Sequence, residues 1–158
     1  CKLAQSLFSV VVIAFGTVLN PAVSMALTSA TTILLVVTLD VPTLRRAFRM
    51  IAALNTLGHG GERVILVLNR YRREDHGLLE EAEALLGQPV ALSIPDVPEE
   101  AREAVESGHL LCADTSGGVV VRAYERLAAH VMDAKQTPAA HPSSWRARWI
   151  QRLWGDAA

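Results

Sequence analysis

Charge is scarcest in the first quarter of this 158-residue chain: from Leu3 to Leu39 there is no acid, no base and no histidine. Such a gap first suggests a membrane hairpin. Spanning a bilayer takes roughly 20 consecutive apolar residues, however, and this region is cut by Asn20-Pro21 and diluted by Ser24, Thr28, Ser29, Thr31 and Thr32. Two buried strands with a buried helix between them fit the composition better. Lysine is nearly absent, occurring only as Lys2 and Lys135. With no G-x-x-x-x-G-K-[ST] loop either, the visible sequence holds no lysine placed to grip a phosphate. Cys1 and Cys112 are the two cysteines, too few and too far apart for a metal or redox motif. They read as reduced thiols, and Cys112, with no neighbouring cation to activate it, reads as a small packed hydrophobe. The five histidines show no metal-ligand spacing; His59 and His109 sit beside glycines and read as ordinary loop residues. No secretory signal is visible. A net charge of −1 gives no general attraction to nucleic acid or anionic surfaces.

What is present is a set of unbroken apolar runs. Arg63 to Tyr71, RVILVLNRY, is the clearest: Val64 to Leu68 are all apolar, rich in β-branched types and without polar alternation. That pattern is the habit of an inner strand of a parallel sheet, buried on both faces. Val10 to Ala14, Ile33 to Leu39 and Val90 to Ile94 repeat it. Between the runs lie helix signals. Asn20-Pro21 places a cap and a first-turn proline before an apolar helix over Pro21–Ser29. Asp40-Val41-Pro42-Thr43 opens a second helix, with Leu44, Ala47, Phe48, Ile51, Leu54 and Leu57 on one stripe and Arg45, Arg46 and Arg49 opposite. A third helix, about Leu78 to Leu86, puts Glu80, Glu81 and Glu83 on its wet side. A fourth runs from Glu99 to Ser107, and a fifth from Val119 to Asp133. Gly58, Gly87 and Gly108 are the stops. Strand alternating with helix predicts an α/β domain, doubly wound, with a mainly parallel sheet and helices on both faces.

Open α/β sheets hold ligands just outside the carboxyl ends of their strands, so the strand exits are the place to look for chemistry. Asn69 follows the strand at Val64 to Leu68, and its amide can offer a donor and an acceptor together, matching the edge of adenine. A local turn hydrogen bond explains an asparagine there equally well. Pro95 and Asp96 follow the strand at Val90 to Ile94 and can present rigid backbone groups to a base; a helix-entry role for Asp96 is the plainer alternative. Arg70, Arg72 and Arg73 can meet an anion or a partner, or simply face water. Residues 135–144, with two prolines, read as a linker. Beyond it, 145–155 form a basic amphipathic helix holding all three tryptophans, Trp145, Trp149 and Trp154, among Arg146, Arg148 and Arg152. Such a helix suits a bilayer headgroup region or a partner's groove, or folds back on its own domain.

The pieces VVVIAFG, ILLVVTLDVPTLRRAFRMI, RVILVLNRY and ALSIPDVPEEAREAVESG occur in that order over residues 2–133. Together they resemble the C-terminal half of the MinD/ParA-like deviant-Walker P-loop ATPases, and most of all the CpaE/TadZ branch tied to Flp pilus assembly. The resemblance implies a P-loop NTPase-like domain over residues 1–134 whose N-terminal part, with the phosphate loop, lies outside this chain. It implies ATP as ligand, with Mg2+ in the full-length protein, and a homodimer that sandwiches the nucleotide and cycles among membrane, nucleoid or polar sites. Partners would be pilus-assembly or polar-localisation proteins, with no specific nucleic acid. The location would be cytoplasmic, peripheral at the inner membrane face where the tryptophan helix docks. Asn69, with Arg70 beside it, maps to the adenine-reading position, and Pro95 and Asp96 to the loop lining the base. One departure stands out: where the family carries an Asp that organises magnesium and the attacking water, this chain has Ala14. A side chain without oxygen implies weak or absent hydrolysis. The alternative is a noncatalytic doubly wound interaction scaffold. A receiver-like domain fits less well, because Asp40 is a lone acid at its strand end.

Overall fold

The computed structural model describes residues 2–111 and 118–133; Cys1, Cys112, the 135–144 linker and the 145–155 helix lie outside the described residues. Three strands form one sheet in the order β1 (Ile33–Val37), β2 (Val64–Tyr71), β3 (Val90–Pro95). Both pairings are parallel, with Ile33 opposite Val64 and Val37 opposite Leu68 across β1 and β2. Among the described residues six α-helices accompany them: α1 (Lys2–Leu7), α2 (Pro21–Ser29), α3 (Val41–Thr56), α4 (His76–Leu86), α5 (Pro98–Ser107) and α6 (Val119–Asp133).

β2 is central because its side chains find cover on both faces. Leu66 and Leu68 pack with Val37 of β1, Ala47 of α3 and Leu86 of α4. Val64 joins Ile33, Leu54 of α3 and Leu27 of α2 on the same side. The alternate residues Ile65 and Val67 face the other way, toward Ile94, Ala123 and Leu127 of α6. Period-two alternation along one strand therefore feeds two helical layers. Val67 and Leu68 are fully buried. The expected doubly wound α/β domain with helices on both faces is what the described residues build.

The caps follow from local chemistry. Asn20 accepts a hydrogen bond from the Val23 backbone N–H at 2.9 Å, with Pro21 at the first helical position. Asp40 does the same for Thr43 at 2.9 Å, and its other oxygen takes the Thr38 hydroxyl. These contacts, that with Thr38 first, hold the Asp40 carboxyl below the usual carboxylate range. α4 stops at Gly87, whose φ of 70° is the left-handed conformation that glycine adopts without steric cost.

Several expectations are corrected. Val10 to Ala14 is not a strand: it pairs with nothing, and Val12 is 84% exposed. Its composition suits a strand, but β-structure is stabilised by cross-strand partners, and among the described residues none pairs with it. The helix Pro21–Ser29 forms but is not buried; Leu27 is its one buried residue and Met25 is 73% exposed. Phe48 of α3 and Leu57 at its C-cap were expected on the core stripe, yet they are 51% and 47% exposed; the face that packs on the core is Leu44, Ala47, Ile51 and Leu54. Glu83 is not on the wet side of α4: its Oε1 accepts from the Val90 backbone N–H at 2.8 Å, tying α4 to the start of β3. No helix among the described residues is long and apolar enough to cross a membrane.

Candidate functional site

The carboxyl ends of β2 and β3 lie side by side, and the candidate residues gather there. Asn69 does not end its strand. β2 continues to Tyr71, but Leu68 to Tyr71 runs beside Ser93 to Pro95, so β2 spends one more residue than β3 over that stretch. This is a β-bulge, and it centres on Arg70, the one non-glycine residue with positive φ, 57°, among those described. A non-glycine residue in this conformation costs on the order of 1 kcal/mol and persists only where its surroundings hold it.

Two contacts hold it. The Arg70 backbone N–H donates to Asn69 Oδ1 at 3.0 Å, the local turn bond that was one of the two readings of Asn69. The Arg70 Nε donates to Asp96 Oδ1 at 3.2 Å. Arg72 Nε donates to the second oxygen, Asp96 Oδ2, at 3.0 Å, while Arg72 Nη1 stands 3.6 Å from Glu74 Oε1. The Asp96 backbone N–H donates to Tyr71 O at 3.0 Å, carrying the ladder one step past Pro95. Asp96 is thus a clamp: one carboxylate, 8% exposed, bridging two guanidiniums that are 65% and 57% exposed. Burial works to raise its pKa, but hydrogen bonds from Arg70 and Arg72 and their charges prevail and hold the carboxyl below its usual range. The Arg72 guanidinium is correspondingly held above its ordinary value by its hydrogen bond to Asp96.

The structure brings Asn69, Arg70, Pro95 and Asp96 together, and it adds Arg72, which the sequence left between meeting an anion or a partner and facing water. With both carboxylate oxygens engaged by arginines, Asp96 shapes the rim rather than offering itself to a ligand. Asn69 keeps its two amide N–H groups and a second Oδ1 lone pair, so it still has the donor and acceptor that a base edge requires. Ala14 closes the unpaired segment and is exposed. Among the described residues no group of three His, Cys, Asp or Glu side chains could hold a metal ion.

A parallel sheet with helices on both faces is an α/β fold that matches the fold of solved ParA and MinD structures. A ParA family ATPase from Chlorobium tepidum TLS superposes with a TM-score of 0.74 at 20% identity, over 82% of this chain and 54% of that one. The MinD cell division protein of Aquifex aeolicus gives 0.60 at 21% identity, over 72% and 49%. MinD in a MinC:MinD complex from the same organism gives 0.59 at 20%, over 77% and 50%. The chain spans about half the length of these solved structures. No protein-family model and no curated protein matches the sequence.

Proposed function

We propose that this chain is the base-holding half of a MinD/ParA-like ATP-binding protein, of the CpaE/TadZ type, serving pilus assembly or intracellular positioning. The observation that supports it best is the Asn69–Arg70–Arg72–Asp96 cluster, carried by a bulge at the carboxyl ends of two adjacent parallel strands. In this reading Asn69 contacts adenine through its amide, Pro95 gives the base a rigid apolar edge, and the Asp96 clamp keeps Arg70 in the conformation that orients Asn69. Phosphate contacts come from sequence outside this chain. The described residues do not fit a magnesium site, and Ala14 supplies no oxygen, so no hydrolytic step is assigned to them. The full-length protein is a homodimer with slow or absent turnover, and the tryptophan helix at 145–155 docks on a membrane surface or a partner.

The test is calorimetric titration of ATP and GTP into the protein carrying its phosphate-binding half. Loss of a bidentate base contact is worth about 1–3 kcal/mol, so Asn69→Ala weakens ATP roughly tenfold to a hundredfold and leaves GTP nearly unchanged. Equal affinity for both nucleotides in both proteins removes Asn69 from the site. A second reading, a noncatalytic interaction scaffold, is favoured by one observation: two cavities, one by Thr17 and Arg49 and one by Val10–Ile13 and Phe15, are lined by none of Asn69, Pro95 and Asp96. Absence of any nucleotide binding by the complete protein selects that reading.

A further inference from the structure

Two helices carry unpaired charge of opposite sign. α3 has Arg45, Arg46 and Arg49 and no acid anywhere along its length. All three arginines are exposed, and none has an ion-pair partner among the described residues. α5 has Glu99, Glu100, Glu103 and Glu106, all exposed; only Glu106 is paired, with Arg102 of the same helix at 2.9 Å. Like charges three and four residues apart on a helix repel one another. Arg45 and Arg49 stand in that relation, as do Arg46 and Arg49, Glu99 and Glu103, and Glu100 and Glu103. Apart from the Arg102–Glu106 pair, nothing among the described residues relieves either row.

Both helices also leave apolar surface in solvent. Val41 and Phe48 of α3, 61% and 51% exposed, stand four residues before and three residues after Arg45 and so share its face. On α5 Val105 is 81% exposed, and no residue of the helix is buried. Helices shorter than about 12–15 residues are marginal in water. α5, at 10 residues, therefore has much to gain from a partner on its open side.

We infer that the arginine face of α3 on one copy docks on the acidic face of α5 on a second copy. Arg45–Arg49 and Glu99–Glu103 share a four-residue spacing, so two ion pairs can form together while Phe48 and Val105 leave water. A second copy is the occupant because one contact relieves both rows at once. The segment 145–155, with Arg146, Arg148 and Arg152, could cover α5 but would leave α3 as it stands. The contact joins two different patches, so each added copy presents a fresh face of either sign, and a chain of copies grows unless the rotation closes a ring. One face of a helix of 10 residues, about 15 Å long, buries much less than the roughly 800 Å² per partner of a stable interface. The association is therefore weak and reversible. It needs no nucleotide and does not rest on the nucleotide reading.

The test is sedimentation velocity on the complete chain, without nucleotide and at low salt. The sedimentation coefficient rises with protein concentration. Raising the salt from about 0.05 to 1 M, which shortens the screening length to about 3 Å, weakens the association by about tenfold. Arg45→Glu/Arg49→Glu and Glu99→Lys/Glu103→Lys each sediment as monomers, because each variant sets like charges against each other. An equimolar mixture of the two variants associates again: the reversed α3 of one meets the reversed α5 of the other, and their unaltered faces still match. That recovery also shows that neither variant has lost its fold. Four results overturn the inference: an unaltered chain that stays monomeric at every concentration, association that persists in either variant alone, no recovery on mixing, or association that disappears when residues 145–158 are deleted. No nucleotide is added, so failure here leaves the nucleotide reading standing, and the ATP and GTP titrations test that reading separately.

Discussion

Val64–Leu68 and Val10–Ile13 are nearly the same kind of sequence, unbroken runs of Val, Ile and Leu. The first is the best-buried segment of the molecule and the second one of the most exposed apolar ones, with Val67 at 0% and Val12 at 84%. The difference is one of neighbours. β2 has a strand on each side and helices above and below, so its backbone groups are paired and its side chains covered. Val10–Ile13 joins no ladder and lines an apolar cavity instead. Strand propensity describes how well a residue fits a pleated, half-buried surface; without that surface it stabilises little.

The contrast can be broken at its strong end first. Leu68→Ala in β2 removes a fully buried side chain between α3, α4 and β1; such truncations cost about 2–5 kcal/mol. Urea unfolding followed by circular dichroism shows a midpoint shift of that size, and a shift under 1 kcal/mol means that β2 is not the centre. Arg63→Ala comes next. Its guanidinium donates to Leu27 O at 2.9 Å and to Ala30 O, stapling the end of α2 to the entrance of β2. Losing it costs about 1–3 kcal/mol and frees the first thirty residues to proteolysis before the sheet is cut. Simultaneous cleavage of both regions contradicts their separation.

Acid acts on the rim. Asp96 and Asp40 both have folded-state pKa values below their ordinary ones, so each contributes stability that is fully present above the unfolded pKa, about 4, and lost as pH falls through the folded value. Thermal melting between pH 6 and pH 2.5 shows Tm declining below about pH 4. Asp96→Asn flattens part of that decline, and an unchanged profile means the arginine clamp does not hold in solution. The smallest effect belongs to the weak end of the comparison. Val12→Ser alters stability of the isolated chain by less than about 0.5 kcal/mol, measured by the same urea titration; a larger loss means that the segment is already packed.

Three of the four apolar runs were legible as strands, and the helices through Asn20, Asp40, Gly87 and Gly108 at their ends; Val10 to Ala14 read the same way and is exposed instead. The rim was legible only in part. Asn69, Arg70, Pro95 and Asp96 could be placed near the carboxyl ends of β2 and β3, although the strands run on through Tyr71 and Pro95 and only Asp96 lies beyond its strand. The clamp could not, since Asp96 and Arg70 are 26 residues apart and nothing in either neighbourhood encodes the other. Nor could the bulge, because residue order along one strand carries no record of how many residues the next strand spends over the same distance. Glu83 is a similar case: an acid on an otherwise solvated helix reads as wet until a backbone N–H from another element arrives beside it.

Local sequence thus determined which segments turn, cap and extend, since those outcomes depend on interactions within a few residues. Tertiary structure decided which extended segments became strands, which acids acquired arginines and which apolar run stayed unpaired. Pairing and burial require a neighbour, and a neighbour is supplied by the fold and not by the run itself.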